Sequence, residues 1–137
     1  MKNGVLAKKL AAMEETLGRL REHLPKSYEQ FASDWPAQKM AERSLQIIVE
    51  AMLDIGERLI ALEAGGPCET AVAVMERLAR MRVIQSAASY VPMVRFRNLL
   101  VHQYEQIDPA LVYGVAAKKL SDVDAFIQEI RRYVQGD

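Results

Sequence analysis

The chain has 137 residues, of which 50% are hydrophobic and 26% are charged, a balance typical of a globular protein rather than a disordered one. Its 18 basic residues equal its 18 acidic residues, so the formal net charge is zero. A protein that coats nucleic acid non-specifically is usually basic overall. Any contact with nucleic acid must therefore be local or created by assembly.

The sequence carries no sign of export or membrane insertion. No apolar run approaches the roughly 20 residues needed to span a membrane, and the first residues lack the apolar segment of a signal peptide. The single cysteine, Cys68, excludes an internal disulfide framework and fits a reducing compartment. We expect a single cytoplasmic domain over residues 1–137 that makes no contact with a membrane.

Apolar residues spaced by three and four predict helices along nearly the whole chain. A first helix is predicted over 5–24, ended by Pro25, and an aromatic connector over 26–35 follows it. A second helix begins at Asp34-Trp35-Pro36 and ends at Gly65-Gly66-Pro67. Its predicted core-facing residues repeat at helical spacing: Leu45, Ile48, Met52, Ile55, Leu59 and Leu62.

Three further helices are predicted in the second half of the chain. One covers 69–82. The next starts near Ser86 and is kinked or started by Pro92. The last opens at Asp108-Pro109 and continues without a break to 134, although Gly114 and Ser121 weaken it locally. No strand periodicity is present, so we predict an all-α, up-and-down bundle of four or five helices.

The densest polar chemistry lies in Arg97-Asn98-Leu99-Leu100-Val101-His102-Gln103-Tyr104. On a regular helix Asn98 and His102, four apart, share a face, whereas Arg97 and His102, five apart, differ by about 140°. Arg97 and Tyr104, seven apart, lie within about 20° of each other. One groove could use all these residues only if the helix ends or distorts near Val101, or if two copies of it meet.

The residue types suit the cleavage of RNA without a metal ion or cofactor. Histidine titrates near neutrality and can move the proton of a ribose 2′-hydroxyl. Arginine can hold a phosphate and stabilise its developing charge, and Asn98 could orient either group. The alternatives are a histidine favoured by the helix C-terminus, a tyrosine that only packs, and an Arg95 that is simply solvated.

Glu50 and Asp54 are a second pair of candidate functional residues, four residues apart on the second helix. Paired carboxylates can bind a metal or act as acid and base, but an ion pair between Asp54 and Arg58 explains them equally well. We favour a structural role, in which one of them pairs with an arginine of the motif helix.

The stretch Phe96 to Tyr104 resembles the motif of HepT-type toxins of the HEPN superfamily. The segment 42–55, and Ile107-Asp108 followed by Val112-Tyr113, resemble the same family. The resemblance implies a helical bundle that works as a homodimeric endoribonuclease in a type II-like toxin–antitoxin system.

The resemblance also assigns roles to residues. Arg97 and His102 would be catalytic, with Asn98 and Tyr104 supporting them. A minimal nucleotidyltransferase antitoxin would neutralise the toxin by attaching AMP to Tyr104. The alternative is a non-catalytic nucleotide-binding module, or an accessory helical subunit of the nucleotidyltransferase.

Overall fold

The computed structural model describes residues 4–102 and 107–136, without the side chain of His102. All regular structure in these ranges is helical, which confirms the predicted all-α class. None of the described helices is long and apolar enough to cross a membrane. The seven described helices are α1 (Gly4–His23), α2 (Tyr28–Ala32), α3 (Trp35–Leu62), α4 (Ala71–Arg80), α5 (Val91–His102), α6 (Pro109–Lys118) and α7 (Leu120–Gln135).

Helix α3 is the centre of the bundle. Its 28 residues extend over about 42 Å, and α1, α2, α4, α5 and α6 all pack against it. Asp34 caps it by accepting a 3.0 Å hydrogen bond from the Ala37 backbone N–H, and Pro36 lies in its first turn, as predicted. A Cβ on Gly56 would lie 2.8 Å from a methyl group of Val74, so this glycine lets α4 approach closely.

The first and last helices are joined by charge as well as by apolar packing. Arg131 of α7 donates two hydrogen bonds, of 2.7 and 2.8 Å, to the carboxylate of Glu14 on α1, and this pairing lowers the pKa of Glu14. Arg21 and Asp124 form a second bridge at 2.5 Å. The predicted apolar stripe of α1 is buried throughout: Leu6, Leu10, Met13, Leu17 and Leu20.

Three predicted features of the chain before α5 need correction. The connector over 26–35 contains a helix, α2, whose N-terminus is capped by Ser27. The fully buried Phe31 anchors α2 against the ring of Tyr113, 5.0 Å away. The helix predicted over 69–82 is shorter, because Thr70 caps α4 at its start. Leu62 was predicted to face the core but is 55% exposed, since it is the last residue of α3.

The predicted last helix is in fact two helices. Gly114 and Ser121 do not break it; the interruption falls at Lys119, between α6 and α7. Buried Val112, Ala116 and Leu120 are spaced by four, and each such step turns the apolar stripe by about 40° on a straight helix. The bend at Lys119 returns the following apolar residues to the core.

Two helices end on a left-handed residue that is not glycine. Ala64 follows α3 with φ 61°, and Arg82 follows α4 with φ 64°. The hydrogen bonds are the same in both turns: Gly65 N–H to Ile60 O and Val83 N–H to Leu78 O, each 2.9 Å. Glycine is the usual residue here, and a side chain in this conformation costs about 1–2 kcal/mol.

The start of the motif helix is tied to α7. Pro92 lies in the first turn of α5, so the helix begins at Val91 rather than near Ser86. The preceding Tyr90 is buried, and its hydroxyl donates a short hydrogen bond to Glu129 Oε1. Burial and this carboxylate raise the pKa of Tyr90, which keeps the phenol protonated as a donor. The Gln85 N–H donates to Glu129 Oε2 at 2.7 Å.

We expect Tyr90→Phe to lower the free energy of unfolding by about 1–3 kcal/mol, because Glu129 Oε1 loses its donor in a partly buried position. Urea denaturation followed by circular dichroism measures this change. The matched control is Tyr28→Phe, whose hydroxyl has no hydrogen-bond partner among the described residues and which should change stability by less than about 0.5 kcal/mol. Equal stabilities of the two variants would contradict the role assigned to Glu129.

Candidate active site

Helix α5 turns one face to the core and leaves polar side chains of the motif outside it. Arg97 is half-buried, whereas Arg95 and Asn98 are exposed. The core-facing residues are Met93, Val94, Phe96 and Leu100. Their burial against α3 and α4 fixes the rotation of α5, and with it the direction in which Arg97 leaves the helix.

Arg97 lies in an acidic cleft of about 400 Å³ that is bounded by α3, the start of α4 and α5. Four carboxylates line this cleft: Glu50, Asp54, Glu57 and Glu69. The sequence predicted that Glu50 or Asp54 would pair with an arginine of the motif helix; both line the same cleft as Arg97. Glu57 was missed, although a residue seven beyond Glu50 falls on the same helix face.

Asp54 does not form the expected ion pair with an arginine of the motif helix but pairs with residues of α1 and of its own helix. Asp54 contacts Lys9 Nζ at 2.5 Å and Arg58 Nε at 3.5 Å. The hydrogen bond from Lys9 is the main cause that lowers the pKa of Asp54, with a further contribution from the charge of Arg58. The pair Asp54–Arg58 predicted from i,i+4 spacing is therefore present.

Arg97 lines this cleft with the carboxylates, but no ion pair between its guanidinium and one of them is present in the described part of the chain. Its Nε is buried and has no hydrogen-bond partner in the described part of the chain. Negative charge around the guanidinium favours its position between α3 and α4, but repels a phosphate. A phosphate would therefore approach from outside the cleft, beside Arg95 and Asn98, which α5 exposes.

The remaining motif residues are only partly described. The backbone of His102 is the last residue of α5, but its side chain, and all of Tyr104, lie outside the described residues. Because α5 is helical through His102, the distortion near Val101 that could bring Arg97 and His102 to one face is not observed. The two positions remain about 140° apart around the helix.

Among the side chains that the structure describes, no group of three or more histidine, cysteine, aspartate or glutamate residues is arranged to hold a metal ion. Cys68 is half-exposed and lines the acidic cleft, two residues before the capping Thr70.

Comparison with known proteins links this site to one family. The profile of the family described as "Ribonuclease HepT-like" matches residues 13–130, which include α5 and the whole acidic cleft. A protein named tRNA nuclease HepT, from Aphanizomenon flos-aquae, is 28% identical over 126 residues, covering 88% of this chain and 86% of that protein. A protein named mRNA nuclease HepT, from Shewanella oneidensis, is 25% identical over 131 residues, covering 94% and 98%.

The fold agrees with a solved structure. The tri-AMPylated HEPN toxin of Shewanella oneidensis, solved in complex with its MNT antitoxin, superposes with a TM-score of 0.84. The two chains are 24% identical over 94% of this chain and 98% of that one. This similarity establishes the arrangement of helices shared by the two proteins.

Proposed function

Because the chain belongs to the HepT-like ribonuclease family, we propose that it is the toxin of a toxin–antitoxin pair. It is an endoribonuclease that works as a homodimer without a metal ion and is neutralised by a minimal nucleotidyltransferase antitoxin. The observation that carries this proposal is the motif from Arg97 to Tyr104, which lies inside the family match. Relatives named as tRNA and mRNA nucleases support the reaction.

The chemistry proceeds through the ribose 2′-hydroxyl. His102 removes its proton, and the 2′-oxygen attacks the adjacent phosphorus, forming the P–O2′ bond as the P–O5′ bond breaks. Arg97 stabilises the negative charge that develops on the phosphate. The second protomer's imidazolium returns a proton to the leaving 5′-oxygen. The products are a 2′,3′-cyclic phosphate and a 5′-hydroxyl, and no water molecule attacks.

The geometry of α5 supports a site made by two copies of the helix. Positions 97 and 102 are about 140° apart around a regular helix, a separation that disfavours one protomer presenting both residues to the same phosphate. Two α5 helices that meet around one groove supply an arginine and a histidine from opposite sides. They also supply the two histidines that separate acid and base roles require.

We therefore expect a homodimer in dilute solution. Analytical ultracentrifugation should give about twice the mass of the 15.4 kDa chain. A well-folded monomer that cleaves RNA at full rate would contradict this arrangement.

Arg97→Ala and His102→Ala should each abolish RNA cleavage and growth inhibition. General acid–base catalysis contributes about 10² to 10⁴ in rate, so cleavage of labelled tRNA should fall by at least that factor. Circular dichroism should remain unchanged, because both variants keep the buried apolar residues of α5. Arg19→Gln, which removes an exposed arginine from α1, is the matched control and should keep wild-type activity.

Wild-type cleavage rates in His102→Ala would disprove the catalytic assignment. If the wild-type protein itself cleaves no RNA, the alternative function of a nucleotide-binding or accessory subunit is favoured. One observation favours the accessory-subunit form of that alternative: the four carboxylates that line the cleft with Arg97 lower its attraction for the phosphates of RNA and of a nucleotide alike.

We expect Tyr104 to be the residue at which the antitoxin switches the toxin off. An AMP group on its hydroxyl would add the negative charge of a phosphodiester to the motif and compete with RNA for the Arg97 cation, because arginine–phosphate contacts are strong. Incubation with the nucleotidyltransferase, ATP and Mg²⁺, followed by peptide mass spectrometry, locates the adduct. Tyr104→Phe should accept no AMP and remain toxic in the presence of the antitoxin. An adduct on Tyr113 with Tyr104 unmodified would contradict this proposal.

A further inference from the structure

A second cleft, of about 600 Å³, lies at the opposite end of α4 from the acidic cleft. It is bounded by the end of α4, the turn that follows it and one face of α7. Two arginines line it, Arg82 from the turn and Arg132 from α7. They are far apart in the sequence, and only the packing of α7 brings them to the same cleft. We call this the arginine cleft.

The two arginines of this cleft form no charge pairs with neighbouring side chains in the described structure. Neither Arg82 nor Arg132 has an ion pair or side-chain hydrogen bond in the described part of the chain. The carboxylate in the cleft wall, Glu129, already accepts hydrogen bonds at both oxygens, from the Tyr90 hydroxyl and the Gln85 N–H. The neighbouring Arg131, by contrast, is fully engaged with Glu14.

The backbone at Arg82 gives an independent reason to assign its side chain a role. Arg82 occupies the left-handed position at the end of α4, where glycine would remove the strain described above. The amide N–H groups of Arg82 and Val83 are bonded to carbonyls of α4 and are not available to a ligand. What arginine adds at this position is therefore a cationic side chain beside the cleft.

We propose that the arginine cleft is a second RNA-binding site, which holds backbone phosphates of the substrate away from the bond that is cleaved. This inference rests on the proposed ribonuclease function. Planar guanidinium groups bind phosphate oxygens in pairs. The aromatic ring of Tyr133 lines the same cleft, and aromatic rings beside arginines suit the stacking of unpaired bases. This combination fits RNA better than a small free anion.

The position of the cleft suits a strand that also reaches Arg97. The acidic cleft with Arg97 includes the start of α4, and the arginine cleft includes its end. Helix α4 has 10 residues, which extend over about 15 Å. At about 3.4 Å per nucleotide in a stacked strand, four or five nucleotides cover this distance. A chain without net positive charge thus gains affinity for RNA from one local contact.

The test measures binding of fluorescein-labelled tRNA at several salt concentrations. All proteins carry His102→Ala so that the RNA stays intact. Adding Arg82→Gly or Arg132→Gln should weaken binding roughly three- to tenfold and reduce the slope of log affinity against log salt by about one. Arg82→Gly should not lower the melting temperature, since glycine suits the left-handed position.

Two controls match these variants. Ala64→Gly makes the same backbone change in the same type of helix end and leaves every charge in place. Arg19→Gln removes an arginine from the distant α1. Both should bind tRNA as the parent does. A loss of affinity on Arg132→Gln with no loss on Arg19→Gln supports a local contact rather than a general effect of charge.

The outcomes separate this proposal from the proposed function. If the protein with His102 intact cleaves RNA but Arg82→Gly and Arg132→Gln leave tRNA affinity and salt dependence unchanged, the arginine cleft is not an RNA site and the ribonuclease function stands. If that protein cleaves no RNA, the ribonuclease function fails, and loss of tRNA binding on both substitutions still supports the cleft. Variants that keep tRNA affinity but lose the antitoxin, or a parent that binds no tRNA, overturn the proposal.

Discussion

The carboxylate of Glu129 on α7 is the contact on which both clefts depend. By accepting hydrogen bonds from Tyr90 and from the Gln85 N–H, it fixes the segment that leads into α5. Glu129 also lines the arginine cleft, in which neither Arg82 nor Arg132 has a carboxylate partner within the described structure. This partly buried interaction therefore positions the motif helix and forms part of the wall of the arginine cleft.

Acidic and basic side chains lie in different clefts of this chain, although its net charge is zero. Carboxylates collect around Arg97 at one end of α4, and uncommitted arginines collect at the other end. The acidic cleft surrounds the proposed catalytic Arg97 with carboxylates, whereas the arginine cleft supplies attraction for a polyanion. This division explains how a ribonuclease of this family could recognise RNA without a basic surface overall.

Local features of the fold were predictable from the sequence, and features set by packing between distant segments were not. The stripe of α1, and the start of α3 at Asp34 and Pro36, depend on residues within a few positions of one another. The bend at Lys119 depends on how α6 and α7 meet the rest of the bundle. Spacing of four predicted that Glu50 and Asp54 share one face of α3, but Glu69 joins them only through the turn before α4. The arginine cleft has no signal in the sequence, because its two arginines come from segments joined only by tertiary packing.

The chemical ends left on the cleaved RNA test the central claim most directly. The claim is that Arg97 and His102 cut RNA by attack of the ribose 2′-hydroxyl, with no metal ion. Cleavage of end-labelled tRNA in the presence of EDTA should proceed at the same rate as without it. It should leave a 2′,3′-cyclic phosphate on one fragment and a 5′-hydroxyl on the other. Loss of activity in EDTA, or fragments that carry a 3′-hydroxyl and a 5′-phosphate, would contradict the account.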